Sequence, residues 1–533
     1  MTRTSVLSLP EEQSALDALG VQYLYPYQRL LVSNILEAFN ALSSASQNVD
    51  RGGRSDRFEA HRNQIAILPT GAGKSLCFQL PAVLLPGPTI VVFPLLSLIA
   101  DQERRLKAGG TCTCVLRGNQ SPEERRKVLQ LIGDGHARII LTNPETLCTE
   151  RTIELLRNAH CSHLVIDEAH CVSEWGETFR PAYLELPQAI ARINVPLVTA
   201  FTATASQTIL DAVHRILFNG ESVNVVRANP DRQNISYRVL TSVAPLHTLY
   251  SLLRPRVSGT LPEESGPAQQ QNDTPLYPEY LPVRRPALIF CRTRRRAELV
   301  AEYLRRRLPP DDIYFYHAGL TREEKSRIEA WFFDSTNGIL SSTCAYGLGV
   351  DKANIRTVIH FDTPPSVEAY LQESGRGGRD RNHAEALLIS RLDGSPELQF
   401  SGTAAAADRA LRMMSYAHSS GCRRSYLMEQ MGAEPETCFG CDLCRGTAGA
   451  PPEGMREILW FIRYHPRRYS RSEAARELSS TLLTWQEEDI EFAIRLLERC
   501  GLVRVYRRGP WKHLLGCGGR GTGTLDPVRL KPV

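Results

Sequence analysis

Short, nearly unbroken apolar runs recur along most of the chain. Each closes in a Gly-rich or polar turn and is followed by a helical pattern. A first set falls at residues 65–68, 89–93, 139–141, 164–166 and 197–201. A second falls at 287–290, 313–316, 339–341, 357–361 and 386–389. Runs that are apolar on both faces and alternate with helices predict parallel sheets covered by helices on each side. Two such sets predict two α/β lobes with a cleft between them. Two stretches break the rhythm. Residues 43–61, rich in Ser, Arg, Asp and Gly, read as a polar loop. Residues 255–285, rich in Pro, Gln, Glu and Gly, read as a disordered insertion or linker.

The 533 residues suggest several domains. No run of about 18 apolar residues occurs, which predicts no membrane span. The opening MTRTSVLSLP lacks a long apolar core and a small-residue cleavage site, so the expectation is a protein that is not secreted. The 14 cysteines are then expected to be reduced, some of them metal ligands. A net charge of +5 says little until it is placed. From residue 451 to 533, fifteen Lys and Arg face ten Asp and Glu, so the tail alone carries the excess. A basic tail suits phosphate contact, and equally suits a solvated surface.

The strongest motif is Leu68-Pro69-Thr70-Gly71-Ala72-Gly73-Lys74-Ser75, between an apolar strand and a helical stretch. Backbone amides of such a loop, with the helix N-terminus behind it, cradle triphosphate oxygens. Thr70, Gly71, Ala72 and Gly73 are the candidate cradle. Lys74 faces the β- and γ-phosphates of ATP, and Ser75 ligates Mg2+. A second motif, Leu164-Val165-Ile166-Asp167-Glu168-Ala169-His170, sets two acids at the tip of a buried strand. Ligands bind at the carboxyl ends of strands in open α/β sheets. Asp167 is expected to hold Mg2+, and Glu168 to orient or deprotonate the attacking water.

The DEAH string with the phosphate loop resembles superfamily 2 helicases, and its continuation resembles RecQ helicases. The aromatic-rich loop CVSEWGETFRPAY at 171–183 and LCFQLP at 76–81 carry that likeness, which runs from about Leu16 to Cys444. It implies two RecA-like lobes and an ATP-driven DNA motor. Gln28, in LYPYQ, matches an adenine-reading glutamine, with Tyr25 where an Arg is usual. PLLSLIADQ at 94–102 and Asn143-Pro144-Glu145 resemble strand-contacting motifs of the first lobe. Thr202-Ala203-Thr204 resembles the motif coupling hydrolysis to lobe movement. Asp231-Arg232-Gln233-Asn234 is similar to the family's Asp-Arg-Pro-Asn turn. FCRT at 290–293, YHAGL at 316–320, STCAYGLGVDK at 342–352 and QESGRGGRD at 372–380 resemble second-lobe motifs. In the last, two arginines three residues apart on a Gly-rich turn suit γ-phosphate contact, with Arg379 as the finger and Arg376 in support. Trp175, Phe179, Arg180 and Tyr183 are expected to contact unpaired DNA and couple it to the acids. Relatives commonly carry His-Asp after Trp-Gly, where this chain has Glu177-Thr178.

Cys422, Cys438, Cys441 and Cys444 form a further constellation, three of them within seven residues. Four thiolates favour structural Zn2+. An iron–sulfur cluster uses the same donors and is the alternative. RecQ helicases carry a similar four-cysteine zinc module after the motor. Beyond it, Ile490, Ala493, Ile494 and Leu497 mark one apolar helical face. Residues 502–514 then alternate toward a basic hairpin with Arg504, Arg507, Arg508 and Lys512. Helices followed by a basic hairpin resemble a winged helix, a module that the family uses on duplex DNA. A packing domain that binds nothing is the competing reading. The additional helical module seen in many relatives is expected to be absent.

The expected domains are therefore a first RecA-like lobe at 1–245, a linker at 246–285 and a second RecA-like lobe at 286–395. A zinc-binding module at 396–450, a winged helix at 451–516 and a flexible tail at 517–533 come after them. The expected activity is ATP-dependent 3′–5′ unwinding of DNA in repair or recombination, on single-stranded and forked DNA. A translocase that does not separate strands, and a non-catalytic adaptor, are the rivals. The expected location is the cytoplasm, in association with the nucleoid, for a bacterial protein and the nucleus for a eukaryotic one.

Overall fold

The computed structural model describes residues 9–21, 23–47, 62–69, 72–108, 110–118, 120–172, 181–203, 207–254, 283–347, 352–391, 404–434, 437–438, 440–447, 454–481 and 485–518. The chain divides into two units. One runs to Arg232 and includes Met428–Glu434; the other begins at Gln233 and holds most of the remaining chain.

In the first unit the apolar runs become β1 (Asn63–Ile67), β2 (Thr89–Val92), β4 (Ile139–Thr142), β5 (His163–Ile166) and β6 (Leu197–Thr202). Two further strands, β3 (Thr113–Val115) and β7 (Asn224–Arg227), complete a sheet ordered β3-β4-β2-β5-β6-β1-β7. Every pairing is parallel. Alternate residues feed two separate cores. Ile65, Ile67, Ile90, Val92, Leu164 and Ile166 pack on one face. Ala66, Leu68, Val91, Phe93 and Val165 pack on the other. That two-sided burial is why these strands read as continuous apolar runs.

The second unit repeats the plan with β8 (Ile235–Ser242), β9 (Ala287–Phe290), β10 (Ile313–Tyr316), β11 (Ile339–Ser342), β12 (Thr357–His360) and β13 (Ala384–Arg391). Its order is β10-β11-β9-β12-β13-β8, again parallel throughout. The expected fold class, two parallel-sheet lobes of the RecA-like kind, is what the chain forms.

The lobe boundary expected at 245 needs correction. Strand β8 pairs with β13 over eight residues, from Ile235↔Ala384 to Ser242↔Arg391, so it belongs to the second sheet. The helix Pro245–Leu253, expected to open a linker at 246, buries Leu246, Leu249, Leu252 and Leu253 in the second core. Hydrogen bonding to β13 and this burial outweigh the motif-based division. Residues 255–282 of the expected linker lie outside the described residues.

In the tail, helices Met455–Tyr464, Arg471–Thr481 and Glu487–Arg499 precede an antiparallel pair, β14 (Val503–Val505) and β15 (Leu515–Cys517). Ile490, Ala493, Ile494 and Leu497 are all buried, as their spacing predicts. The hairpin is longer than expected. The second strand begins at Leu515, and residues 506–514, with Gly509-Pro510 at their centre, form the connection. No helix among the described residues is long and apolar enough to cross a membrane.

Candidate nucleotide and metal sites

The carboxyl ends of parallel strands share one edge of the sheet, and the first unit brings Lys74, Asp167 and Glu168 together there. Strand β1 leads into the phosphate loop, and the helix Lys74–Leu84 starts directly behind it. Gly73 caps that helix at φ 73°. A Cβ there would sit 2.6 Å from Gln28 Nε2, so the position requires glycine on both counts. Gln28 is buried. Its Nε2 donates to Ala72 O at 2.8 Å, its Oε1 accepts from Tyr25 N at 2.9 Å, and Tyr27 Oη donates to Ala72 O at 3.1 Å. The residue expected to read adenine thus also props the phosphate loop. Thr70 and Gly71 lie outside the described residues.

Strand β5 delivers the acids two strands away, across β6. Lys74 Nζ donates to Glu168 Oε1 at 2.9 Å and lies 3.8 Å from Asp167 Oδ1. Burial pushes the Asp167 carboxyl up to about 6; Lys74 pulls it down and Glu168 pushes it further up. A partly buried carboxylate beside a second acid suits a divalent cation, which would stabilise its charge. Ser75 Oγ donates to Gln102 Oε1 at 3.3 Å. Glu168 has φ 49°, the left-handed region that a non-glycine residue rarely occupies. Such strain costs on the order of 1–3 kcal/mol and persists only where surrounding structure over-determines it. His170 helps to do so: its Nδ1 lies 3.4 Å from Glu168 Oε2 and 3.1 Å from Thr202 Oγ1, at the end of β6.

The expected DNA-coupling residues fare differently. Trp175, Phe179, Arg180 and Thr204 lie outside the described residues. Tyr183 is buried in the first core, on the helix Ala182–Ile193. It is a packing residue, and its expected contact with unpaired bases is withdrawn because the ring is closed off from them.

In the second unit the Gly-rich turn follows the helix Val367–Ser374. Arg376 is buried and Arg379 half-buried. Asn234 Nδ2 donates to both Gly378 O (2.8 Å) and Asn382 O (2.9 Å). Gly378 has φ 55°, and a Cβ there would meet Asn234 Nδ2 and Asn382 O, each at 2.5 Å. The asparagine that ends the Asp-Arg-Gln-Asn string therefore clamps the arginine turn. The string signalled a turn, but only the fold shows what the asparagine holds.

Cys422, Cys438, Cys441 and Cys444 converge, with all four sulfurs within 4.8 Å of one another and those of Cys422 and Cys441 4.0 Å apart. A metal–sulfur bond of about 2.3 Å sets a tetrahedral S–S edge of about 3.8 Å, so the cluster fits Zn2+. Cys441 N donates to Cys438 Sγ (3.3 Å) and Cys444 N to Cys441 Sγ (3.4 Å). Burial works to raise the Cys422 thiol, but hydrogen bonds from the Ser425 side chain and backbone and from Cys438 and Cys444 outweigh it and hold the thiol at about 7. Sequence reading passed over the residue that anchors the cluster. Asp442 Oδ1 accepts from Arg423 Nε at 2.9 Å, and Oδ2 accepts from Val239 N, on β8, at 3.0 Å. An acid inside a Cys-x2-Cys-x2-Cys run was the available signal.

Sequence comparison gives the class. The DEAD/DEAH box helicase profile matches residues 25–212, and the helicase conserved C-terminal domain matches residues 280–381. By these matches the chain carries the DEAD/DEAH box helicase domain and the helicase conserved C-terminal domain. Its curated relatives include RecQ DNA helicases. The ATP-dependent DNA helicase RecQ of Pasteurella multocida is 30% identical over 400 residues, 72% of this chain and 57% of that protein. RecQ of Haemophilus influenzae is 30% identical over 437 residues, 78% of this chain and 65% of that one. The probable helicase RecS of Bacillus subtilis is 36% identical over 340 residues, 63% and 62% of the two chains. The chain thus spans 57–65% of the length of these bacterial relatives. Among solved structures, Mss116p bound to ssRNA and AMP-PNP aligns with a TM-score of 0.52 at 14% identity, over 95% of this chain and 94% of its own. The DUF1998 helicase MrfA bound to DNA aligns with a TM-score of 0.51 at 15% identity, over 98% and 64%. At those identities the likeness is one of fold.

Proposed function

We propose that this chain is an ATP-dependent DNA helicase that couples hydrolysis to 3′–5′ movement on single-stranded DNA and to duplex unwinding in repair or recombination. The observation that carries the reading is the Lys74–Glu168–Asp167 constellation behind a glycine-gated phosphate loop, followed in the chain by a clamped arginine turn. The RecQ relatives supply DNA as the polymer.

The residues fit ATP with Mg2+. Ser75 and Asp167 are the groups that would hold the cation, which neutralises charge on the phosphates when bound. Lys74 now spends its charge on Glu168. Arriving phosphates compete for Lys74 and free Glu168 to orient and deprotonate water. The pair thereby keeps the base from activating water before nucleotide arrives. Gln28 contacts adenine while it props the loop. Arg379 meets the charge that develops on the γ-phosphate, and Arg376 supports it. Trp175, Phe179 and Arg180 engage the unpaired strand and report it to Glu168, a few residues away in sequence. The four cysteines hold one structural Zn2+, and the tail acts as a winged helix on duplex or forked DNA.

Steady-state ATP hydrolysis with and without single-stranded DNA, together with unwinding of a fluorescent fork, tests this reading. DNA-stimulated hydrolysis with strand separation is expected. Stimulated hydrolysis with no separation on any fork would leave a translocase, and hydrolysis indifferent to DNA would sink the reading.

A further inference from the structure

The helix Met455–Tyr464 presents two chemistries. Met455, Ile458 and Ile462 are buried in the tail core with Ile490, Ile494 and Leu497. Arg456, Trp460, Arg463 and Tyr464 are exposed, at i, i+4, i+7 and i+8, which places them on one stripe. Trp460 is 58% and Tyr464 65% exposed, with ring centroids 4.3 Å apart and planes tilted by 41°. The only acid on that helix is Glu457, which is half-buried.

A further cation and ring group follows the helix end in the chain. Arg467, exposed and at φ 61°, places its guanidinium 4.4 Å from the Trp511 ring centroid and 5.1 Å from that of Tyr506. Its Nε donates to Tyr506 Oη at 3.2 Å, and its backbone N–H to Leu515 O at 2.7 Å. Trp511 is itself 43% exposed. Arg467 therefore ties the chain beyond the helix to the hairpin connection, a second place where a cation lies against exposed rings.

We infer that this stripe binds single-stranded nucleic acid, with unpaired bases on Trp460 and Tyr464 and phosphates on Arg456, Arg463 and Arg467. Rings stack on base faces, which a duplex hides in its own stack, so the rings select an unpaired strand. The two rings are too close to admit a base between them, since that slot needs roughly 7 Å, twice the 3.4 Å spacing per strand. Bases therefore stack on the outer ring faces. Charge decides against a second copy of the chain as the occupant. Symmetric pairing of the stripe would set arginine against arginine, whereas a polyanion complements them. The inference rests on the helicase reading, in which the motor generates the unpaired strand, and adds a holding site on the tail.

The test uses the full chain with both Trp460 and Tyr464 changed to Ala, and a second variant with both changed to Phe. Fluorescence anisotropy measures affinity for an oligo-dT strand and for a blunt duplex. The Ala variant is expected to bind the strand roughly 10-fold or more weakly, with duplex affinity within about twofold, unchanged melting, and ATP hydrolysis without DNA at the parent rate. The Phe variant, which keeps the ring faces, is expected to retain most of the strand affinity. Equal strand affinity in parent and Ala variant overturns the inference while leaving the helicase reading intact. Equal loss on strand and duplex overturns the selectivity for unpaired bases. A parent dimer that the Ala substitutions dissociate makes the stripe a self-association surface and overturns it too. A parent that binds no single strand overturns both readings together.

Discussion

The two lobes share a sheet plan but treat their charges in opposite ways. In the first, Lys74 and Glu168 satisfy each other at 2.9 Å, and the acid sits on strained backbone. In the second, the turn bearing Arg376 and Arg379 is pinned by Asn234 through two carbonyls and has no room for a Cβ at Gly378. The first arrangement is exchangeable: a ligand can take one partner and release the other. The second is a scaffold that fixes where an arginine starts. Under the proposed function a motor that waits for nucleotide would use both kinds: Glu168 would be restrained by a pairing that the ligand itself breaks, and Arg379 would be pre-positioned.

A large effect should come from the fixed side. Arg379→Ala is expected to lower kcat for ATP by about 10³-fold or more, the range of an arginine that stabilises transferred-phosphoryl charge. Near-parent turnover would mean that the scaffold holds the wrong arginine. Next come the exchangeable partners. Glu168→Gln is expected to lower kcat by about 10²–10⁴-fold, as loss of a general base does, while a fluorescent nucleotide still binds. Lys74→Ala is expected to abolish turnover and to weaken that binding as well. If the two variants lose binding alike, the pair is structural and does not exchange on nucleotide arrival.

A smaller, non-catalytic effect tests the anchored metal cluster. Elemental analysis is expected to find about one Zn2+ per chain, bound by four thiolates. Cys441→Ser should lose the metal and melt several degrees lower, because metal binding and local folding are coupled. Asp442 joins the cluster to β8 and Arg423, so the second unit should melt first. Iron in place of zinc would reverse the metal assignment. A metal-free parent with the same melting curve as Cys441→Ser would end it.

Burial decides which parts of the fold are legible in the sequence. Strands such as β2 and β5 are covered on both faces, so their apolar runs stood out with ends within a residue or two. The strands that went unread are at or near sheet edges. Strand β7 has one buried residue in four, β3 is three residues long, and β8 carries Arg238 and three Ser or Thr residues. Missing β8 misplaced the lobe boundary. The phosphate loop and the acids were visible because their chemistry depends on local spacing. Asn234 on Gly378, Asp442 on Val239 and the Tyr506 and Trp511 rings beside Arg467 join residues far apart in sequence. No local pattern encodes such pairs. Tyr183 shows the opposite error: an aromatic beside a functional string was read as functional, and the helix that carries it turns it into the core.

The smallest expected effect is the sharpest probe of the comparison, because it touches no nucleotide. Asn234→Ala removes two hydrogen bonds to carbonyls of the arginine turn. At about 0.5–1.5 kcal/mol each, that is about 1–3 kcal/mol of local restraint. The turn holds Arg379 one residue beyond Gly378, so loosening it should widen the distribution of the guanidinium without removing it. kcat is then expected to fall about 10-fold with the KM for ATP close to the parent value, since the contact matters in the transition state and not in binding. Asn234→Asp should be no better, because a carboxylate cannot donate to two carbonyl oxygens. If the asparagine were only a stability element, both variants would melt lower yet turn over at the parent kcat when assayed well below their melting temperatures. That outcome would reduce the scaffold to ordinary packing and erase the contrast between the two lobes.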